Sequence, residues 1–87
     1  MTAPILKVIR ANEILADPFA GESALSEREK QVARLAARGN TAQEIAAELD
    51  IVPSTVFSYL KMIKRATGLS PRQLRQRMIE RLEEALK

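Results

Sequence analysis

The 87-residue chain has no cysteine, no histidine and no tryptophan, and its aromatics are Phe19, Phe57 and Tyr59. Each absence excludes something. Without Cys or His the common zinc sites, thiol nucleophiles and imidazole bases cannot be built, so neither a metal nor another cofactor is expected. Disulfides cannot form, so the fold rests on packing, which suits a reducing cytoplasm. No apolar run nears the ~20 residues that a bilayer span needs. Lys7, Arg10 and Glu13 interrupt what would be the apolar core of a signal peptide. A chain this short buries only about 60% of its unfolded surface, so a deep, water-excluding cavity and a small-molecule ligand are not expected. Ser and Thr are present but no base is placed to activate them, and Tyr59 lacks the His and Arg neighbours of a recombinase nucleophile. An enzyme is the weakest reading.

What is present is helical. The composition, 46% hydrophobic and 29% charged, is that of a folded chain. Pro4, Pro18, Gly21, Gly39, Pro53, Gly68 and Pro71 cut it into segments rich in Ala, Leu, Glu, Arg and Gln, with no sustained period-2 run of β-branched residues. The fold class is all-α. Ser26 with Glu29, Thr41 with Glu44 and Ser70 with Gln73 each have the spacing of a capping box, the last with Pro71 at the first helical position and Leu69 and Leu74 placed as a staple. Gly39 and Gly68 can take the left-handed conformation that stops a helix. Helices are thus expected over about 27–38, 42–49, 53–67 and 71–86. Residues 5–16 are read as a further helix, because Ile5, Val8, Ile9 and Leu15 fit helical spacing while Asn12 breaks the stripe. The breaker-rich stretch 17–25 is read as a linker.

A short helix, a turn at Asp50–Val52 and a longer helix opening with Pro53 have the layout of a helix-turn-helix. At 100° per residue, Val56, Leu60, Ile63 and Thr67 share one side of 53–67 and must face the core, with Tyr59 at the margin. Ser54, Ser58, Lys61 and Arg65 share the opposite side, flanked by Phe57 and Lys64. Hydroxyls and cations on an exposed helix face meet phosphates and base edges in a major groove. Charge is segregated along the chain: residues 1–50 carry a net −2 and residues 51–81 a net +6, the footprint of a polyanion-binding surface.

The stretch from Leu25 through Leu69 resembles the LuxR/FixJ-type (GerE-like) DNA-binding domain of bacterial transcription regulators. The matching marks are Leu25, Ser26, Arg28, Glu29, Val32, Leu35, Gly39, Glu44, Ile45, Ala46, Leu49, Ile51, Thr55, Val56 and Ile63, and the likeness runs over about residues 25–80. It implies a four-helix domain whose third helix enters the major groove and whose fourth pairs two subunits. By this resemblance Phe57, Ser58 and Lys61 would face bases. Thr41, Ser54, Thr55, Lys64 and Arg65 would lie at phosphates or on the flank. The linker sets 1–24 apart as an N-terminal arm; the resemblance implies 25–69 as the helix-turn-helix core and 70–87 as a C-terminal dimerisation helix, with double-stranded DNA as partner and the cytoplasm, at the nucleoid, as location.

The chain departs from the family at the turn, where Asp50 and Val52 replace the usual Gly and Ser or Thr. Asp tolerates the left-handed conformation, but Val52 has no oxygen to cap the next helix, a loss that Pro53 offsets in part. Phe57 stands where the family tends to have Lys. It could touch a thymine methyl, pack against a segment such as 5–16, or anchor a partner protein; packing or partner contact is favoured. Tyr59 replaces a frequent His, and Ala66-Thr67 a Lys-Leu pair.

The final helix carries a broad apolar stripe of Leu74, Met78, Ile79, Leu82, Ala85 and Leu86. Leu74, Met78, Ile79, Leu82 and Leu86 are expected at a homodimer interface. Residues 1–24 are too short for a receiver or inducer domain, so control is expected to act through abundance or a protein co-regulator; the arm's apolar residues would be costly to leave in water, so it is expected to dock on the core. The rival reading is a helical adaptor or anti-activator that keeps the fold without strong DNA binding, which Phe57 and Val52 favour.

Overall fold

The computed structural model describes residues 3–19 and 21–87. Five helices follow one another: α1 (Ala3–Ala16), α2 (Glu27–Ala37), α3 (Ala42–Leu49), α4 (Pro53–Thr67) and α5 (Pro71–Leu86). No strand occurs among the described residues, and no helix is long and apolar enough to cross a membrane.

The three capping boxes are formed. The Ser26 hydroxyl accepts from the Glu29 amide at 3.2 Å while the Glu29 carboxylate accepts from the Ser26 amide at 2.8 Å. Thr41 and Glu44 exchange the same pair at 3.2 and 2.8 Å, and Ser70 and Gln73 at 3.4 and 2.8 Å. Each cap supplies about 1 kcal/mol by meeting backbone donors that a helix start leaves unpaired. At the far end of α2, Gly39 has φ +92°, which brings its amide to Ala36 O and the Asn40 amide to Leu35 O, and so closes the helix.

α2 lies at the centre, packed on α3, α4 and α5. Val32, Ala33, Leu35, Ala36 and Ala37 of α2 meet Ile45 and Ala46 of α3, Val56 and Ile63 of α4, and Leu74 and Met78 of α5 in one buried cluster. Each fully buried Val, Leu, Ile or Phe stabilises the fold by about 1.5–3 kcal/mol. The 17–25 segment does more than link: Phe19 and Leu25 belong to the same cluster, and Pro18 is fully buried beside it. A lone phenylalanine among helix breakers is the largest of the fully buried side chains.

Two expectations for the ends need correction. Leu74 and Met78, assigned to an interface with a second copy, are only 1% and 7% exposed because they fill the chain's own core against α2. Of that stripe, Ile79 and Leu82 remain half-buried and Leu86 exposed. The N-terminal helix packs along α5, as docking requires, but this contact does not take its apolar side chains out of water. Lys7, Ala11 and Ile14 are half-buried, whereas Ile5, Leu6, Val8, Ile9 and Leu15 stay 40–61% exposed.

Arginines fasten the end of α1. Arg34 Nη1 donates to Ala16 O at 3.2 Å, Arg38 Nη2 to Leu15 O at 2.6 Å, and Arg81 Nη1 to Pro18 O. Cations at the negative end of a helix dipole are favourably placed, and here they come from α2 and α5, since the last turn of α1 has no basic residue of its own.

Candidate nucleic-acid interface

The helix-turn-helix is α3, the turn Asp50-Ile51-Val52, and α4. Asp50 adopts φ 56°, ψ 48°, the single positive φ at a non-glycine among the described residues. Its amide donates to Ala47 O at 3.4 Å and the Ile51 amide to Ala46 O at 2.9 Å, which ends α3 and turns the chain sharply. A short polar side chain makes this conformation bearable at about 1–2 kcal/mol of strain. Ile51 then packs on the core. α4 starts on Val52, which makes no side-chain cap bond, with Pro53 in the first turn.

Arg28 braces the unit from α2. Its Nη2 donates to Leu49 O at 3.1 Å and its Nη1 to Gln31 Oε1 at 3.0 Å, so a cation sits on the last carbonyls of α3 just before the turn. The motif match included Arg28 without giving it this role. The only available signal was an Arg in the first turn of α2, and its partner lies 21 residues on.

The two sides of α4 differ as the periodicity dictates. Val56 and Ile63 have no exposed surface, and Tyr59 and Leu60 pack half-buried beside them. Thr67 turns its hydroxyl onto Ile63 O at 2.8 Å and accepts from the Leu69 amide at 3.1 Å, finishing the helix at Gly68. On the other side Ser54, Phe57, Ser58, Lys61, Lys64 and Arg65 are all exposed, and Thr55 is half-buried at the edge. The Ser58 hydroxyl donates to Ser54 O at 3.2 Å. Thr41 is exposed, but its oxygen is already engaged as the cap of α3.

Phe57 is 61% exposed. Of the three readings of Phe57, packing against the chain's own N-terminal segment is therefore set aside, since α1 lies on α5 and α4 packs on α2 and α3. Val52, five residues earlier at the start of α4, is also bare, at 58%. Not all of the +6 segment is free for a polyanion: Arg81 is committed to Pro18 O, and Arg72, Arg75 and Arg77 stand on α5.

The chain matches the family model of bacterial regulatory proteins of the luxR family over residues 23–74, more than half its length. Over 57 residues it is 42% identical to the transcriptional regulatory protein DesR of Bacillus subtilis (strain 168), an alignment that covers 66% of this chain and 29% of that protein. No solved structure matches it significantly. The five helices, the helix-turn-helix among them and this match agree: the chain belongs to the luxR family of bacterial regulatory proteins.

Proposed function

We propose that the chain is a sequence-specific DNA-binding regulator that inserts α4 into the major groove as a homodimer. The observation that carries this reading is the two-sidedness of α4: Val56 and Ile63 anchor it without exposed surface while Ser54, Ser58, Lys61 and Arg65 stand open to solvent opposite them. Phe57, Ser58 and Lys61 are the proposed base contacts; Thr41, Ser54, Thr55, Lys64 and Arg65 are proposed for phosphates and the flank. A dimer would set two copies of α4 ~34 Å apart, one duplex turn, and favour a pseudo-palindromic site.

The test is selection of bound fragments from a random duplex pool, followed by titration of the enriched site at several salt concentrations. A single enriched palindrome is expected, with log K falling against log salt at about −0.9 per phosphate neutralised. Lys61→Ala is expected to cost about 1–3 kcal/mol and to relax one base pair of the site. Equal, feeble binding to every duplex would overturn this reading. It would favour the second one, a protein-interaction module that uses exposed Phe57 and Val52 as its anchor.

A further inference from the structure

Nine large hydrophobic residues are exposed among those described, and five of them fall within α1. Their order is regular. With Ile5 at position a of a heptad, Val8 takes d, Asn12 the next a and Leu15 the next d, with Ile9 and Ala16 at e. At 100° per residue these six cover an arc of ~120°. All six are exposed. Lys7, Ala11 and Ile14, the half-buried residues by which α1 rests on the chain, fall at c and g on the other side. The charged residues Lys7, Arg10 and Glu13 take only c, f and b, so no charge interrupts the seam.

We infer that this seam pairs with α1 of a second copy, in parallel, about a twofold axis along the helix. Asn12 selects the occupant. A carboxamide inside an apolar seam is costly unless another group meets both its donor and its acceptor, and a second carboxamide does so. In the parallel pair Asn12 faces the partner's Asn12, with Ile5, Val8 and Leu15 likewise self-paired. In the antiparallel pair Asn12 would face the partner's Val8 and lose its mate. A single Asn at an a position is the known device for fixing register and strand number, at some expense of stability.

The area agrees with a second copy. Four apolar side chains exposing on the order of 100 Å² each give about 400 Å² per copy, and about 1,000 Å² for the pair with Asn12, Ala16 and the rim, the threshold of a specific interface. An interface at that threshold suits a pair that forms and separates reversibly rather than an obligate dimer. The pairing surface lies on α1 and leaves α4 untouched, since α1 packs on α5 and α4 on α2 and α3. The inference deepens the homodimer part of the proposed function, but its test needs no DNA.

Sedimentation velocity on the full chain is expected to give twice the mass of one copy at the highest concentrations reached and one copy on dilution. Val8→Glu with Leu15→Glu is expected to leave a monomer with unchanged helical circular dichroism, because both side chains are already solvent-exposed. Leu6→Glu, exposed at b, is expected to remain dimeric. The chain has no cysteine, so Val8→Cys introduces the single thiol. Mild oxidation is expected to cross-link two Val8→Cys copies in the parallel pair, while a Leu6→Cys chain stays uncoupled. A monomer at every concentration, a dimer indifferent to the double Glu variant, or equal cross-linking from both thiol positions would each overturn the inference. DNA binding, measured separately on the same variants, can fail or survive while the α1 pairing stands or falls on mass and cross-linking alone.

Discussion

Arg38 donates its Nη2 to the carbonyl of Leu15 at 2.6 Å, across 23 residues of sequence. Beside it Arg34 Nη1 reaches Ala16 O, while Arg34 Nε is buried without a hydrogen-bond partner. Guanidiniums from α2 and its C-cap thus hold the C-terminus of α1 in a position that its own sequence does not specify. Hydrogen bonds to charged groups are worth about 1.5–3 kcal/mol when shielded, and less at exposed Arg38.

Arg34→Ala combined with Arg38→Ala is expected to loosen α1 without unfolding the rest. Hydrogen exchange is the measurement: amides of residues 7–16 gain rate by an order of magnitude or more, as a loss of about 1–2 kcal/mol implies, while those of α2 to α4 change little. Uniform loss of protection across the chain would show that α1 is inseparable from the core.

The two phenylalanines are expected to behave oppositely. Phe19→Ala removes the largest fully buried side chain and should cost about 3–5 kcal/mol of stability. Phe57→Ala removes an exposed one and should fall within about 0.5 kcal/mol of wild type. Urea unfolding of both variants checks this. A loss in DNA or partner binding by Phe57→Ala at unchanged stability would assign that side chain to recognition.

The turn of the helix-turn-helix has room for improvement. Val52→Thr supplies the missing cap oxygen at the start of α4 and is expected to stabilise the chain by about 1 kcal/mol. Asp50→Gly relieves the left-handed strain at φ 56° and is expected to add up to about 1 kcal/mol. The sites are two residues apart, so the double variant need not be additive. Thermal melts that show no gain from either would mean that the turn is held by its surroundings.

Disruption of the Arg28 brace provides a fourth check. Arg28→Ala leaves Leu49 O without its cation and is expected to cost about 1–2 kcal/mol, read by urea unfolding. The loss should reach DNA affinity too, because the turn orients α4.

Local chemistry made much of this fold readable in advance. A capping box needs only residues three apart, so Ser26, Thr41 and Ser70 announce their helices from the sequence. The division of α4 into Val56 and Ile63 on one side and Ser54, Ser58 and Lys61 on the other follows from its period alone. What was not legible depends on distant partners. The acceptors of Arg34, Arg38 and Arg81 lie 18, 23 and 63 residues away, and no periodicity points to them. Phe19 gives no stripe to detect in a stretch of breakers. Asn12 looked like an interruption of an inward-facing stripe; the structure turns that stripe outward, and there an amide has a different meaning.

The Ser58 hydroxyl donates along the helix to Ser54 O. While that bond holds, Ser58 turns its lone pairs to whatever approaches. On a base edge in the major groove those lone pairs suit an exocyclic amine, N6 of adenine or N4 of cytosine, and repel the O6 and N7 of guanine. A purine preference for adenine at one step of the bound sequence would be the imprint of this internal bond.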